Sequence, residues 1–233
     1  MAATKESNGA RAQAGATTVQ PLSRERIVQA ALDEVEAHGV AALSMRKVGQ
    51  RLGREAMSLY HHFPSKQHLL DAMIDHVLLT TREPPEELPP LEKLRFVMYE
   101  VRATANRFPA LYPLRAVHRL NTPTGVRYIE SILRLIREVV PDDELAARTF
   151  RAVGYFITGA SLDETAGYAK GPSAAEPVSN QFIARECPTL VRAAPYFKSE
   201  HWDKTFALGV EALIWAMQRE VEALGQGADR APT

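Results

Sequence analysis

Basic side chains are concentrated in one short stretch of the chain. Between Ser44 and Lys66 the sequence holds five basic residues and one acidic residue, a net charge of +4 before any histidine is counted; these are Arg46, Lys47, Arg51, Arg54, Lys66 and Glu55. Clustered guanidinium and ammonium groups bind phosphate oxygens, with an affinity that depends on salt. This stretch is therefore a candidate for binding the backbone of a nucleic acid.

The chain as a whole gives no such signal. Its 233 residues carry 28 Lys and Arg against 28 Asp and Glu, so any basic site has to be local. The single cysteine, Cys187, excludes an intrachain disulfide framework and a multi-cysteine metal site. The first 20 residues lack the apolar run of a secretory signal, and no later segment has the length and apolarity of a membrane span. We therefore expect a cytoplasmic protein with no membrane partner.

Four helices are predicted to position the basic stretch. Apolar residues repeat at helical spacing between Ser23, a good N-cap, and Gly39, which ends the first helix. Ser44 caps a short second helix that ends at Gly53. A short third helix runs to Pro64, and Ser65 caps a longer fourth helix that follows it directly.

The remaining sequence predicts an all-α protein with about nine helices in total. The segment EPPEELPP at positions 83–90 cannot continue a helix and divides the chain. We therefore predict a flexible arm over residues 1–21, a smaller domain over 22–81 that contains the basic stretch and includes the fourth helix, and a larger helical domain over 82–233. Within this last part, residues 170–198 are predicted to form a long connection because they are rich in Gly, Pro, Ser and Ala.

The two short helices around Gly53, with the first helix before them, have the lengths and turn chemistry of a helix-turn-helix. The string RLGREAMSLYHHFPSKQHLL, residues 51–70, closely resembles the recognition segment of the TetR family of bacterial transcription regulators. That segment carries a Leu-Tyr pair, one or two aromatic or His residues, a Phe and a Ser-Lys or Asn-Lys step. The resemblance extends from Ser23 to about Leu79.

The resemblance implies which residues bind DNA. Positions that bind DNA in the family are occupied by Ser44, Arg46, Ser58, Tyr60, His61, His62 and Lys66. Phosphate oxygens suit Ser44, Tyr60, His62 and Lys66, whereas base edges and thymine methyl groups would be read by Arg46, Ala56, Met57, Ser58 and His61. Two alternatives stay open: Tyr60 braces its helix, and His62 is a satisfied imidazole. Glu55 and Met57 depart from the residues commonly found at their positions, which leaves the operator sequence undefined.

The C-terminal helices carry a second resemblance. The strings AVGYFITGASLDE, residues 152–164, and FALGVEALIWAMQRE, residues 206–220, resemble helices of the tetracycline repressor subgroup. This implies a homodimer, in which the small residues Gly154, Gly159, Ala160, Gly209 and Ala212 allow close helix approach. The alternative is that these residues make contacts inside one chain.

Asp163 is a candidate for binding a ligand. It continues the row Val153, Phe156, Ala160, which places a carboxylate on an apolar stripe, where it needs a partner. The subgroup has a carboxylate at the position of Asp163 and an imidazole at that of His118, with Asn121 nearby, and its tetracycline-responsive members use them to hold a drug-chelated magnesium ion. Alternatively, His118 is a favourable cation at a helix C-terminus and Asp163 pairs with Arg115 or Arg119.

These interpretations predict a ligand-responsive regulator, a repressor that binds a palindromic operator as a dimer and is released by a small-molecule inducer. Further residues expected to line the inducer pocket are Arg82, Phe96, Tyr99, Arg102, Phe156 and Trp202. No cofactor is required, although magnesium is compatible with His118 and Asp163. The sequence shows no glycine-rich phosphate loop, nucleophile elbow or zinc-binding His-Glu motif, so we expect no enzyme. The alternatives are a DNA-architectural protein without ligand control and an enzyme that uses His118 and Asp163.

Overall fold

The computed structural model describes residues 21–166 and 173–228, and these ranges contain eleven α-helices and no β-strand. The helices are α1 (Arg24–His38), α2 (Met45–Arg51), α3 (Ala56–Tyr60), α4 (Lys66–Leu79), α5 (Pro90–Arg107), α6 (Tyr112–Val117), α7 (Pro123–Arg137), α8 (Asp143–Ala166), α9 (Asn180–Glu186), α10 (Pro188–Ala193) and α11 (Trp202–Ala228). The all-α prediction is confirmed. Residues 1–20 of the predicted arm lie outside the described residues.

The predicted helix starts in the N-terminal part are confirmed by the caps, whereas the third helix is shorter than predicted and ends at Tyr60, before Pro64. The hydroxyl oxygens of Ser23, Ser44 and Ser65 each accept a hydrogen bond, at 3.3 Å, from the backbone N–H three residues later. Gly53, after α2, has a φ of 64°, which favours glycine because it has no Cβ. The apolar faces of these helices share one core with Ile27, Val48, Leu59 and Phe63 at its centre.

Gly49 allows α2 and the start of α3 to approach closely. A Cβ at this position would lie 2.8 Å from the backbone oxygen of Arg54, which cannot rotate away. We expect Gly49→Ala to lower the free energy of unfolding by about 1–3 kcal/mol because the two helices must separate. Gly225→Ala is the matched control, since its Cβ would meet nothing within 4 Å. Chemical denaturation measures both, and equal stability of the two variants would contradict the predicted clash.

The larger part is organised around α5, α7, α8 and α11. Pro90, the last proline of the predicted hinge, is the first residue of α5, a position where a missing N–H is tolerated. Thr122 caps α7 by accepting a hydrogen bond from the Gly125 N–H at 3.0 Å. The core of this part contains Leu94, Met98, Ile136, Val140, Phe206 and Val210.

Two short helices, α9 and α10, lie in the stretch that we interpreted as a connection. They add two to the predicted helix count. Most of the described residues of this connection are exposed, so its helices bury no continuous apolar face. The sequence therefore lacks the apolar periodicity by which the longer helices were predicted. In the part of the chain that the structure describes, no helix has the length and apolar character needed to span a membrane.

The two parts meet along α4. His118, just after α6, places Nε2 3.1 Å from the Asp71 Oδ1 of α4, and the Thr122 hydroxyl donates to the Asp75 Oδ1 at 2.5 Å. Leu111, which precedes α6, is buried in the N-terminal core. The fourth helix is therefore held on one side by the core that it shares with α1–α3 and on the other by α6 and α7.

Candidate nucleic-acid interface and ligand cavities

The third helix exposes the side chains that we expected to face DNA. Met57 is 68% exposed and Tyr60 41% exposed, whereas Leu59 in the same turns is fully buried. His61, which follows the helix, is exposed and His62 is half-buried. The burial of Leu59 fixes the rotation of α3, so its polar and amphipathic side chains lie on the outer surface.

Two predicted base-reading residues have local contacts. The Ser58 hydroxyl donates to the backbone oxygen of Glu55 at 2.7 Å, so its lone pairs remain available to accept a hydrogen bond. Ala56 is half-buried and packs against the N-terminal core. Ala56 therefore presents only part of its surface to the outside.

Arg24 is a positioning residue that the sequence interpretation missed. Its guanidinium donates to the backbone oxygen of His62 and lies 4.1 Å above the ring of Phe63. The start of α1 is thereby tied to the end of the recognition segment, next to the half-buried Lys66 at the start of α4. The sequence shows a basic residue, Arg24, directly after the N-cap Ser23. It does not show the contact, because the partner His62 lies 38 residues later in the chain.

Part of the predicted positive charge is offset by α1. Lys47 Nζ lies 3.6 Å from the Glu34 Oε1, and Arg51 lies 3.6 Å from Asp33 and 3.8 Å from Glu34. The local excess of +4 therefore overstates the charge that faces outward. Among the described residues, Arg46 and Lys66 make no ion pair, so they are the stronger candidates for binding DNA.

The structure does not bring His118 and Asp163 together as a ligand site. His118 pairs with Asp71, while Asp163 is exposed on α8. The prediction that Asp163 lies on the buried stripe is wrong by one residue, because the buried carboxylate is that of Glu164. Asn121 is also exposed and lines neither of the cavities described below.

These residues do not fit the magnesium ion that the subgroup resemblance implies. The His118 imidazole is engaged by Asp71 at 3.1 Å, and Asp163 lies on an exposed face of α8. Across the residues that the structure describes, no group of three or more His, Cys, Asp or Glu side chains could hold a metal ion. We therefore assign no metal to His118 and Asp163.

Glu164 belongs to a buried ionic network. Its carboxylate oxygens accept from Arg102 Nε at 3.0 and 2.8 Å and from Asn106 Nδ2 at 3.3 Å, and Arg102 Nη1 donates to Asp203 at 2.8 Å. Burial lowers the pKa of Arg102, but its bonds to Glu164 and Asp203 outweigh burial and the net shift is upward. The network joins α5, α8 and α11.

A cavity of about 330 Å³, which we call cavity A, opens beside this network. Its lining residues are Arg82, Phe96, Tyr99, Glu100, Arg102, Ala103, Asn106 and Asp203. Arg82, Phe96, Tyr99 and Arg102 were predicted from the sequence to line a pocket. Phe156 lies outside this lining, since its ring stacks on Phe206 with centroids 5.2 Å apart. Trp202 is also outside it, and its indole N–H donates to the backbone oxygen of Phe197 at 3.3 Å.

A second cavity of about 360 Å³, cavity B, lies between the end of α4, the start of the linker (residues 80–89, between α4 and α5), α5 and α7. Its wall is formed by Leu78, Leu79, Thr81, Arg82, Glu83, Pro84, Val97, Thr124, Arg127, Tyr128, Ser131 and Ile132. Arg82 is common to both cavities. The sequence interpretation missed the contribution of α7, because that helix was recognised by its apolar stripe alone.

Arg82 is held by Glu100. Its Nε and Nη2 atoms donate to the Glu100 Oε2 at 2.9 and 2.7 Å, and its backbone N–H donates to Oε1 at 3.3 Å. These hydrogen bonds lower the pKa of the buried Glu100 carboxyl despite its burial. The pair connects the segment after α4 to the middle of α5.

The outer faces of α8 and α11 expose large apolar side chains. Tyr155 and Trp215 are each 65% exposed and Leu208 is 73% exposed. A methyl group added to Gly154 or Gly159 would meet no atom within 4 Å, so both positions are open within this chain. Gly209 differs, because a Cβ there would lie 2.2 Å from the Phe156 ring. Its close approach is therefore a contact inside one chain.

Two family descriptions match the chain. "Bacterial regulatory proteins, tetR family" matches residues 27–73, and "Tetracyclin repressor-like, C-terminal domain" matches residues 91–220, more than half of the chain. The first match contains α2 and α3. The second contains every residue of the ionic network and both phenylalanines of the Phe156–Phe206 stack.

Individual regulatory proteins and a solved structure are also similar to this chain. The chain is 32% identical to the transcriptional repressor DrrR1 of Streptomyces coeruleorubidus over 142 residues, 60% of this chain and about half (53%) of DrrR1. It is 29% identical to the class D tetracycline repressor protein of Escherichia coli over 219 residues, 90% of this chain and 96% of that repressor. The structure of Streptomyces coelicolor ActR in complex with actinorhodin is 28% identical, with a TM-score of 0.69 over 86% of this chain and 97% of ActR.

Proposed function

Since the chain belongs to the TetR family of bacterial regulatory proteins and is a ligand-responsive DNA-binding regulator, we propose that it is a dimeric repressor whose operator is a near-palindrome. Each protomer contributes the helix-turn-helix unit of residues 22–81. Residues 82–233 dimerise and bind the inducer. The protein acts in the cytoplasm and requires no cofactor.

The exposed face of α3 is the observation that carries the DNA-binding role. Met57, Tyr60 and His61 stand outward from a helix whose rotation is fixed by buried Leu59, and Lys66 lies at the adjacent helix N-terminus. A backbone amide end and an ammonium group suit phosphate oxygens. Arg46, exposed in the first turn of α2, suits the acceptor edge of guanine.

Dimerisation through α8 and α11 is supported by their exposed apolar side chains and by the open Gly154 and Gly159. Two reading helices about one turn of DNA apart require a near-palindromic site. We expect Trp215→Glu to raise the dimer dissociation constant by about 30-fold or more, because a large aromatic side chain is replaced by a charge. Sedimentation velocity measures the dissociation constant. The control is Val126→Glu, which changes a partly exposed residue of α7. A Trp215→Glu variant that stays as dimeric as the control would exclude this face.

The inducer binds in the larger part, beside Arg82. ActR of S. coelicolor has been solved with actinorhodin, and it covers most of this chain, which supports a drug-sized or metabolite-sized organic ligand here. Arg82 lines both cavities and follows α4 directly. A ligand that displaces this segment moves α4, whose first residue is the proposed phosphate contact Lys66.

The test begins with selection of a binding site from random DNA, followed by mobility-shift titrations of the selected site. Tyr60→Ala is expected to weaken binding about tenfold, since an exposed phosphate contact is lost. Tyr196→Ala, which removes an exposed tyrosine outside α2 and α3, is the control. Unchanged affinity of Tyr60→Ala would refute the docking. Release of the site by an added compound supports induction, whereas turnover of the compound would favour an enzyme.

A further inference from the structure

The wall of cavity B combines a long apolar surface with two guanidinium groups. Leu78, Val97 and Ile132 supply apolar surface from three different helices, while Arg82 and Arg127 approach from the linker and from α7. Glu83 is the one carboxylate among these wall residues, so the formal charge of the wall is positive. Such a wall favours a ligand with an apolar body and a negatively charged end.

Arg127 is available to bind that charged end. Among the described residues it forms no ion pair and no side-chain hydrogen bond, in contrast to Arg82, which is held by Glu100. Arg127 is exposed and stands one turn before Ser131, which also lines the cavity. A planar guanidinium can bind a carboxylate through two parallel hydrogen bonds.

Tyr128 lies next to Arg127 in the wall of cavity B. Its hydroxyl is buried beside Arg115, and burial raises the pKa of this hydroxyl against the opposing effect of Arg115. Arg115 does not line cavity B, so we assign the aromatic ring of Tyr128, and not its hydroxyl, to the ligand-facing wall.

We propose that cavity B is the effector site and that its ligand is a small amphiphilic carboxylate, with its acid group on Arg127 and its apolar body between α4, α5 and α7. That the ligand of cavity B regulates DNA binding rests on the proposed function. Binding of the carboxylate to the chain can be measured without DNA. Because Arg82 lines the same cavity, a ligand bound there contacts the segment that follows α4.

Isothermal titration of the full chain with 1-naphthaleneacetate and with its neutral isostere 1-naphthaleneacetamide tests the proposal. The acid is expected to bind once per protomer, at least about tenfold more tightly than the amide, because the charge-assisted bond to Arg127 is lost in the amide. Arg127→Ala should weaken the acid about tenfold and leave the amide unchanged. Arg134→Ala, an exposed arginine of the same helix outside the cavity, should change neither.

Two exposed wall residues locate the site independently. Ser131→Trp and Leu79→Trp should each abolish binding of the acid by filling the cavity, and their exposure in the unliganded chain makes both variants compatible with folding, which circular dichroism verifies. Equal affinity for acid and amide, an unaffected Arg127→Ala, unaffected tryptophan variants, or no binding of the acid at 1 mM would each overturn the proposal. A chain that binds the acid but selects no operator would overturn the proposed function instead.

Discussion

Glu164→Leu is expected to lower the free energy of unfolding by about 3–5 kcal/mol, because it leaves the buried guanidinium of Arg102 without its main partner. Arg102 Nε contacts both Glu164 oxygens, and the ring of Phe206 lies 4.7 Å from its guanidinium carbon. The remaining partner, Asp203, has a carboxylate that is almost fully exposed and interacts in water. It cannot replace the buried pair.

The double variant Arg102→Met/Glu164→Leu separates an uncompensated charge from a general loss of packing. Removing both charges should recover most of the lost stability, since the desolvation cost disappears together with the attraction. Asp203→Ala is the control on the exposed side of the network and should change stability by less than about 1 kcal/mol. Urea unfolding at one fixed protomer concentration measures all three, because the proposed dimerisation would make stability depend on concentration. A Glu164→Leu variant as stable as the parent would contradict the network.

Lys66→Ala is expected to weaken binding to the operator and to unrelated DNA by the same factor, about tenfold, because a phosphate contact carries no sequence information. The slope of log affinity against log salt should fall by about one for each bound protomer. Lys93→Ala on α5, outside α2–α4, is the matched control. A loss confined to the operator would mean that Lys66 reads bases, and an unchanged salt slope would mean that it does not touch phosphate.

The N-terminal part was largely predictable because its signals are local. Ser23, Ser44 and Ser65 are caps, and Gly53 needs a positive φ; each of these features depends on a few neighbouring residues. The burial of Leu59 could be read from periodicity in the same way. What could not be read is the partner of each charge. Lys47 and Arg51 count as positive in sequence, but they contact acidic residues of α1 that only the packing of α1 on α2 brings near.

The error at Asp163 has a specific cause. Helix α8 is apolar on two faces, because one face packs inside the chain and the other exposes Tyr155 beside Gly154 and Gly159. Rows of residues that end at Asp163 and at Glu164 therefore both fit helical spacing, and the spacing alone does not show which row is buried. The row that ends at Asp163 looked buried, whereas the structure buries the row through Val153, Ile157, Ser161 and Glu164.

His118 illustrates a limit of reasoning from resemblance. The family pattern identifies an imidazole at this position and associates it with a ligand, whereas the alternative of a helix C-terminus agrees with its place as the C-cap of α6. Its partner here, Asp71, is 47 residues earlier, on the helix that leads to the DNA-binding surface. Cavity B was missed for the same reason, because Arg82, Val97 and Arg127 come from three separated segments that meet only in the folded chain.

Repeating the selection from random DNA with the parent chain and with Arg46→Ala tests most directly whether α2 and α3 read DNA as a pair. The parent should enrich one near-palindromic sequence with half-sites about one helical turn apart. The variant should enrich the same spacing while losing preference at one symmetric pair of positions. A parent that enriches no sequence, or a variant that enriches the parent's sequence unchanged, would contradict the assignment of this surface as a DNA-reading site.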